Sequence, residues 1–244
     1  MLWFIVPYLE YPKDELRMSE FAHDVFPAIC VIVSLLVCVF GFLVCGWPSP
    51  PAVIPKRPFR TTSELFYLLL ISIFEIFSNL VFLTTESSIA LLIGFSLEIG
   101  FCSFELIYLG RASRLTVESL THHVCTMFAI PMSLHVVRLP MGLLVQLSLS
   151  VAVGNAIICA SKIIYRIDDS GKKFEKKKFG IMVSYWSSVV YRILIPTVDV
   201  FWVLYHFFFH MTTMERPGWT RLYLTSLLML LALNYQMVYT MKRT

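Results

Sequence analysis

Charge is scarce in this sequence. Asp, Glu, Lys and Arg together make up 15% of its 244 residues, whereas 57% are hydrophobic and 15% aromatic. So few charges cannot clothe a water-soluble domain of this length, and a mean hydropathy of +0.74 puts the chain among membrane proteins. Histidine is rarer still, six residues in all. They do not form the clustered HxxHH pattern of a desaturase- or elongase-type metal centre, since position 119 is Ser where that pattern wants His. No metal is expected. The arginine motif of a GPCR is missing after the third apolar stretch, and a retinal protein would need an interior lysine in the last, where Lys242 lies at the extreme end. No stretch is broken by paired Gly and Pro and no inverted repeat is present, which argues against a channel or transporter. "KDEL" at Lys13–Leu16 is internal, and only a C-terminal copy is read as an address. "MLWFIVPYL" has no basic leading segment and contains Pro7, so it reads as an interfacial anchor rather than a cleaved signal. The six cysteines (Cys30, Cys38, Cys45, Cys102, Cys125 and Cys159) lie in or at the ends of apolar stretches without paired spacing, and they read as small packing residues.

What is present is a series of long apolar runs. A membrane-crossing helix takes about 20 mainly apolar residues, and seven stretches qualify: Phe26–Trp47, Ser63–Thr85, Ser87–Leu109, Leu115–Val137, Gly142–Ile164, Phe179–Phe209 and Thr220–Met241. Turn-forming or charged segments separate them: "WPSPPAVIPKRPFR", "GRASR", "RLPMG", "DDSGKKFEKKK" and "ERPGW". The boundary "TTESS" is the weakest. The sixth stretch exceeds one span, so it is expected to be tilted, kinked at Pro196, or to end earlier. Seven spans with a cytosolic C-terminus put 13 Lys and Arg residues inside and leave 5 outside, the bias expected of a membrane protein with its N-terminus lumenal. This bias and anionic lipid headgroups account for the net charge of +4, so no nucleic-acid partner is called for.

Polar groups inside spans are costly unless they face protein or a wet cavity. Here they are Glu75 and Asn79 in the second span, Glu98 and Glu105 in the third, His122 and His123 in the fourth, Gln146 and Asn155 in the fifth, Arg192 and Asp199 in the sixth, and Asn234 and Gln236 in the seventh. The pairs at spacings of four or seven share a helix face, and the whole set points to a ring of helices around a polar interior. Glu98 and Glu105, with few basic residues to neutralise them, imply a perturbed ionisation or water access. His122 and His123 are about 100° apart around their helix, so one works and the other supports it. Measured from Leu115, they lie roughly 10 Å deep at about 1.5 Å per residue. Glu118 and Ser119, four residues earlier, are placed to orient them. With metal chemistry set aside, acyl transfer remains: an imidazole acting as general base or as nucleophile toward an acyl thioester.

These residues carry a resemblance. "RLTVESLTHHVCTMFAI", preceded by "GFCSFELIYL" and followed by a span ending "ASKIIY", resembles the TLC-domain family, which includes the ceramide synthases and smaller homologues. "SELFYLLL", "YWSSVVYRILIP" and "LLMLLALNYQMVY" resemble other parts of that domain, over about Lys56 to Thr244. The resemblance implies an all-α membrane protein of seven transmembrane helices, residues 1–25 being a lumenal segment, 26–47 a first helix, and 56–244 a six-helix ring. It implies residence in the endoplasmic reticulum and action in lipid metabolism, with His122, His123, Glu105 and Glu98 as the catalytic candidates. A membrane lipid or fatty acyl chain would be the partner, acyl-CoA the co-substrate, and Arg111, Arg114 and Lys172 the holders of its phosphates; homo- or hetero-oligomers stay open. Ceramide synthases carry further acids in the next span, where this chain has Ala152, Val153 and Ala156. The chain is therefore more similar to the smaller members, whose roles include membrane-lipid composition and trafficking. Either Glu98, Glu105 or Asp199 replaces the lost acids, or the interior binds lipid without that reaction.

Overall fold

The computed structural model describes residues 20–48, 61–135, 141–167, 173–210 and 217–242. Most of residues 1–25, the basic loop with Lys56, Arg57 and Arg60, and Lys172 fall outside this set. The described residues are helical throughout, apart from short turns: α1 (Glu20–Cys45), α2 (Thr62–Thr85), α3 (Ser88–Arg111), α4 (Val117–His135), α5 (Met141–Ile167), α6 (Lys173–Ser188), a π-helical turn (Val189–Leu194), α7 (Ile195–His210) and α8 (Pro217–Lys242). Six of the resulting rods are long and apolar enough to cross a membrane, α6, the π turn and α7 counting as one. The chain is a multi-pass membrane protein. The expected fourth span is the exception among the seven: it is a helix, α4, of only 19 residues, and Glu118, His122 and His123 lower its apolarity, so it is not among the six.

Local chemistry explains most boundaries. Thr61 caps α2: its hydroxyl accepts the Glu64 amide at 3.2 Å while the Glu64 carboxylate accepts the Thr61 amide at 3.2 Å, a reciprocal cap that satisfies two otherwise orphaned donors. The "TTESS" boundary is a turn without glycine. Glu86 takes the left-handed conformation (φ 57°) and donates its amide to the Phe82 carbonyl at 2.7 Å, closing α2 before Ser88 opens α3. Pro196 acts one turn upstream of itself. Lacking an N–H, it cannot serve the Arg192 carbonyl, and the preceding turn widens, the Ile195 amide donating to the Val190 carbonyl in the π-helical pattern.

Packing follows a closed circuit. The main neighbours run α3 to α2, α2 to α5, α5 to the α6–π–α7 rod, that rod to α8, α8 to α4, and α4 back to α3. α1 packs outside this circuit, chiefly on α3. The close approach is through glycines: a Cβ on Gly100 would sit 2.8 Å from the Ser34 backbone, and one on Gly41 2.6 Å from the Phe104 ring. Such small-residue contacts are how helices associate where lipid supplies no hydrophobic drive. The opposite side of α1 leaves Val31, Ile32, Leu35, Leu36, Val39 and Leu43 exposed, as a lipid-facing helix should. Two apolar clusters hold the circuit. One, around Leu91, Leu92, Phe95 and Tyr223, lies toward the Ser87 end; the other, around Leu65, Tyr67, Phe101 and Phe104, lies toward the Arg114 end.

Candidate functional site

Carboxyl, thiol and imidazole groups meet where α2, α3 and α4 touch. On α3, Glu98, Cys102 and Glu105 follow at spacings of four and three and therefore share a face. α4 runs antiparallel to α3 after the "GRASR" turn, in which Ser113 adopts φ 53° and the Arg114 amide donates to the Leu109 carbonyl at 2.8 Å. This hairpin sets His123 beside that face. His123 Nε2 lies 3.1 Å from Glu105 Oε2, and Nδ1 lies 3.4 Å from Cys102 Sγ. Cys102 Sγ in turn is within 3.8 Å of Glu98 Oε1, to which it donates, and Glu98 hydrogen-bonds to Glu75 of α2. His123, Glu105, Glu75 and Cys102 are all buried, and Glu98 is half-buried.

The carboxylate beside Nε2 is an arrangement that orients an imidazole. Breaking such a buried contact from one side costs about 3–5 kcal/mol. His122 points elsewhere, as adjacent helical positions must. Its ring is 5.5 Å from that of His123, edge to face at 76°, and it is half-buried. The two histidines thus divide: His123 is locked into the α3–α4 contact, and His122 stands next to it with more access. Ser119 does not orient His123. It belongs to the start of α4, where Thr116 Oγ1 accepts the Ser119 amide at 3.2 Å and donates to the Ser119 hydroxyl. Thr126, one turn on, donates to the His122 carbonyl at 2.9 Å.

The basic candidates are also placed. Arg114 forms a two-pronged ion pair with Glu64, at 2.6 and 3.0 Å, tying the α3–α4 turn to the capped start of α2. Arg111 lies over the Trp47 ring, 4.7 Å from its centroid, a cation–π contact between α3 and the end of α1. Both therefore make contacts within the fold. Near α4, a cleft of ≈130 Å³ is lined by Glu118, Leu233, Gln236 and Met237. That is below the about 300–1,000 Å³ of a typical small-molecule site.

Other polar residues of the spans, buried or half-buried, link neighbouring helices around the circuit. Asn79 donates to Ser148 at 2.8 Å, Gln146 to Asp199 at 2.7 Å, and Arg192 to Asn155 at 2.9 Å. Arg192 and Asp199 share a helix face, yet each finds its partner on α5. The fifth span takes part through its amides, Gln146 and Asn155. Cys102, which the sequence reads as a small packing residue, joins the α2–α3–α4 group through its contacts to Glu98 and His123, at a spacing from Glu98 and Glu105 that is visible in the sequence. No group of three or more His, Cys, Asp or Glu able to hold a metal occurs among the described residues. Comparison with known families, curated proteins and solved structures finds no match to this chain.

Proposed function

We propose that this chain is a TLC-type membrane protein of lipid metabolism, with a seven-helix bundle in which α4 is the additional membrane-embedded helix. Its N-terminus is lumenal and its C-terminus cytosolic, in the membrane of the endoplasmic reticulum. The reaction is acyl transfer from acyl-CoA to a membrane lipid or its precursor, of the ceramide and sphingolipid kind. His122 is the base or nucleophile, and the His123–Glu105 pair beside it supports the charge that develops on the imidazole. The observation that carries this reading is the buried imidazole–carboxylate contact of 3.1 Å set next to a second, more accessible histidine.

One observation favours a second reading, in which the protein is a non-catalytic lipid sensor, cargo receptor or membrane-homeostasis factor. Both ring nitrogens of His123 face protein groups, as in a structural contact. Reconstituting the purified protein with labelled acyl-CoA and candidate lipid acceptors tests the choice. Label entering lipid supports acyl transfer; intact diacyl lipid co-purifying without turnover supports the binder.

A further inference from the structure

The groups at the α2–α3–α4 junction form a line rather than a cluster. From Glu75 the contacts pass to Glu98, then to Cys102, to His123 and to Glu105. Counted at about 1.5 Å per residue from the Thr62 and Arg111 ends, Glu75 and Glu98 lie roughly 20 Å in, and Glu105 and His123 roughly 10 Å in. The line therefore runs along the membrane normal, from mid-bilayer toward the end marked by Arg114. Cys102 is its midpoint, in contact with both carboxyl-bearing halves. A thiol has one proton, and here it has two acceptors in reach, Glu98 Oε1 at 3.8 Å and His123 Nδ1 at 3.4 Å. The other ionisable groups facing the line are Tyr67 of α2 and His122 of α4.

We propose that Cys102 is a proton-relay residue that passes protons between the Glu75–Glu98 carboxyl pair and the His123–Glu105 pair. The step is balanced without any outside reagent. The Glu98 carboxyl proton moves to Cys102 Sγ as the thiol proton moves to His123 Nδ1 and the Nε2 proton moves to Glu105. Glu98 ends as a carboxylate able to accept a hydrogen bond from Glu75, Glu105 ends protonated, the thiol is restored, and His123 is left in its other tautomer. The reverse passage returns the proton. Placing such a line in the membrane interior fits the use of Asp, Glu and His chains as intramembrane proton relays. It deepens the acyl-transfer reading, since it lets the His123–Glu105 pair gain or lose a proton without opening to water, but its test does not depend on turnover.

The test is nitrogen NMR of the protein labelled in its histidine rings, in lipid nanodiscs, with the His123 signals assigned by their loss in His123→Ala. Exchange between tautomers gives the two ring nitrogens of wild-type His123 averaged shifts. Cys102→Ala should replace them with one protonated and one unprotonated nitrogen, Nε2 carrying the proton. Cys102→Ser, whose hydroxyl both donates and accepts, should restore averaging. Glu98→Gln, which cannot release a carboxyl proton, should behave like Cys102→Ala and gives the same test should that variant fail to fold. A single tautomer in the wild type, or averaging that survives both Cys102→Ala and Glu98→Gln, overturns the proposal. Loss of acyl transfer with the averaging intact would instead bear on His122.

Discussion

Replacing Arg114 by Ala separates the two roles open to this residue. As a holder of acyl-CoA phosphates it would be dispensable for folding. As placed, it closes a two-pronged ion pair with Glu64, the side chains being only 12% and 5% exposed, with contacts of 2.6 and 3.0 Å. Breaking a buried pair from one side costs about 3–5 kcal/mol. Some relief is available here, because Glu64 keeps the Thr61 amide and the pair lies at a span end where water can reach, so about 2–4 kcal/mol is expected. For a chain of this size about 1 kcal/mol corresponds to roughly 2–4 °C, which makes the melting temperature in mild detergent fall by about 5–15 °C. Glu64→Gln should cost a similar amount, and the double variant Arg114→Ala/Glu64→Gln less than the two single losses added, leaving a coupling of about 1.5–3 kcal/mol in the cycle. Intrinsic tryptophan fluorescence during heating reads all four proteins. Unchanged melting of Arg114→Ala, with a weakened dependence on acyl-CoA concentration, would refute the structural assignment and return Arg114 to the phosphate site.

Other consequences follow from the packing. Gly100→Ala should cost about 1–3 kcal/mol, because its Cβ meets the Ser34 backbone at 2.8 Å; Gly100→Leu should release α1 from α3, seen as new protease cleavage near α1. Asp199 is fully buried with Oδ2 unpartnered among the described residues, so Asp199→Asn should be near neutral in thermal stability, while Asp199→Ala, which strands the Gln146 amide, should cost about 1–3 kcal/mol. A tag after Thr244 should be digested by protease added from the cytosolic side and one before Met1 protected, as the 13-to-5 distribution of basic residues requires.

The helices were legible in the sequence because apolar length and turn residues are local signals. The ends at Thr85 and Ser88, from a boundary with no glycine, agree with the expectation to a residue. The effect of Pro196 on the long sixth stretch is a widened turn just before it, where the missing N–H is felt, with the helix resuming at once. Partnerships were less legible. Glu64 and Arg114 are 50 residues apart, and no periodicity links them; what brings them together is the α3–α4 turn. Glu98 and Glu105 do share a face, as spacing requires, yet they meet different partners, since α2 reaches the middle of α3 and α4 reaches its end. The angular separation of the histidines implies a division of labour between them, but not which one is buried. That depends on where α3 lies, and its consequence is that His123→Ala, which removes the 3.1 Å contact to Glu105, should lower stability more than His122→Ala.

The central claim is that His122, supported by His123 and Glu105, carries out acyl chemistry on lipid. Its most direct test is transfer of label from acyl-CoA to lipid by purified protein in nanodiscs, comparing wild type with His122→Ala and with Cys125→Ala, whose thiol donates to Met229 Sδ at 3.6 Å. Wild type and Cys125→Ala should turn over alike, and His122→Ala should fall by about 10²–10⁴-fold, the span of general acid–base catalysis, with its melting temperature nearly unchanged. Wild-type turnover in a stably folded His122→Ala protein would contradict the account.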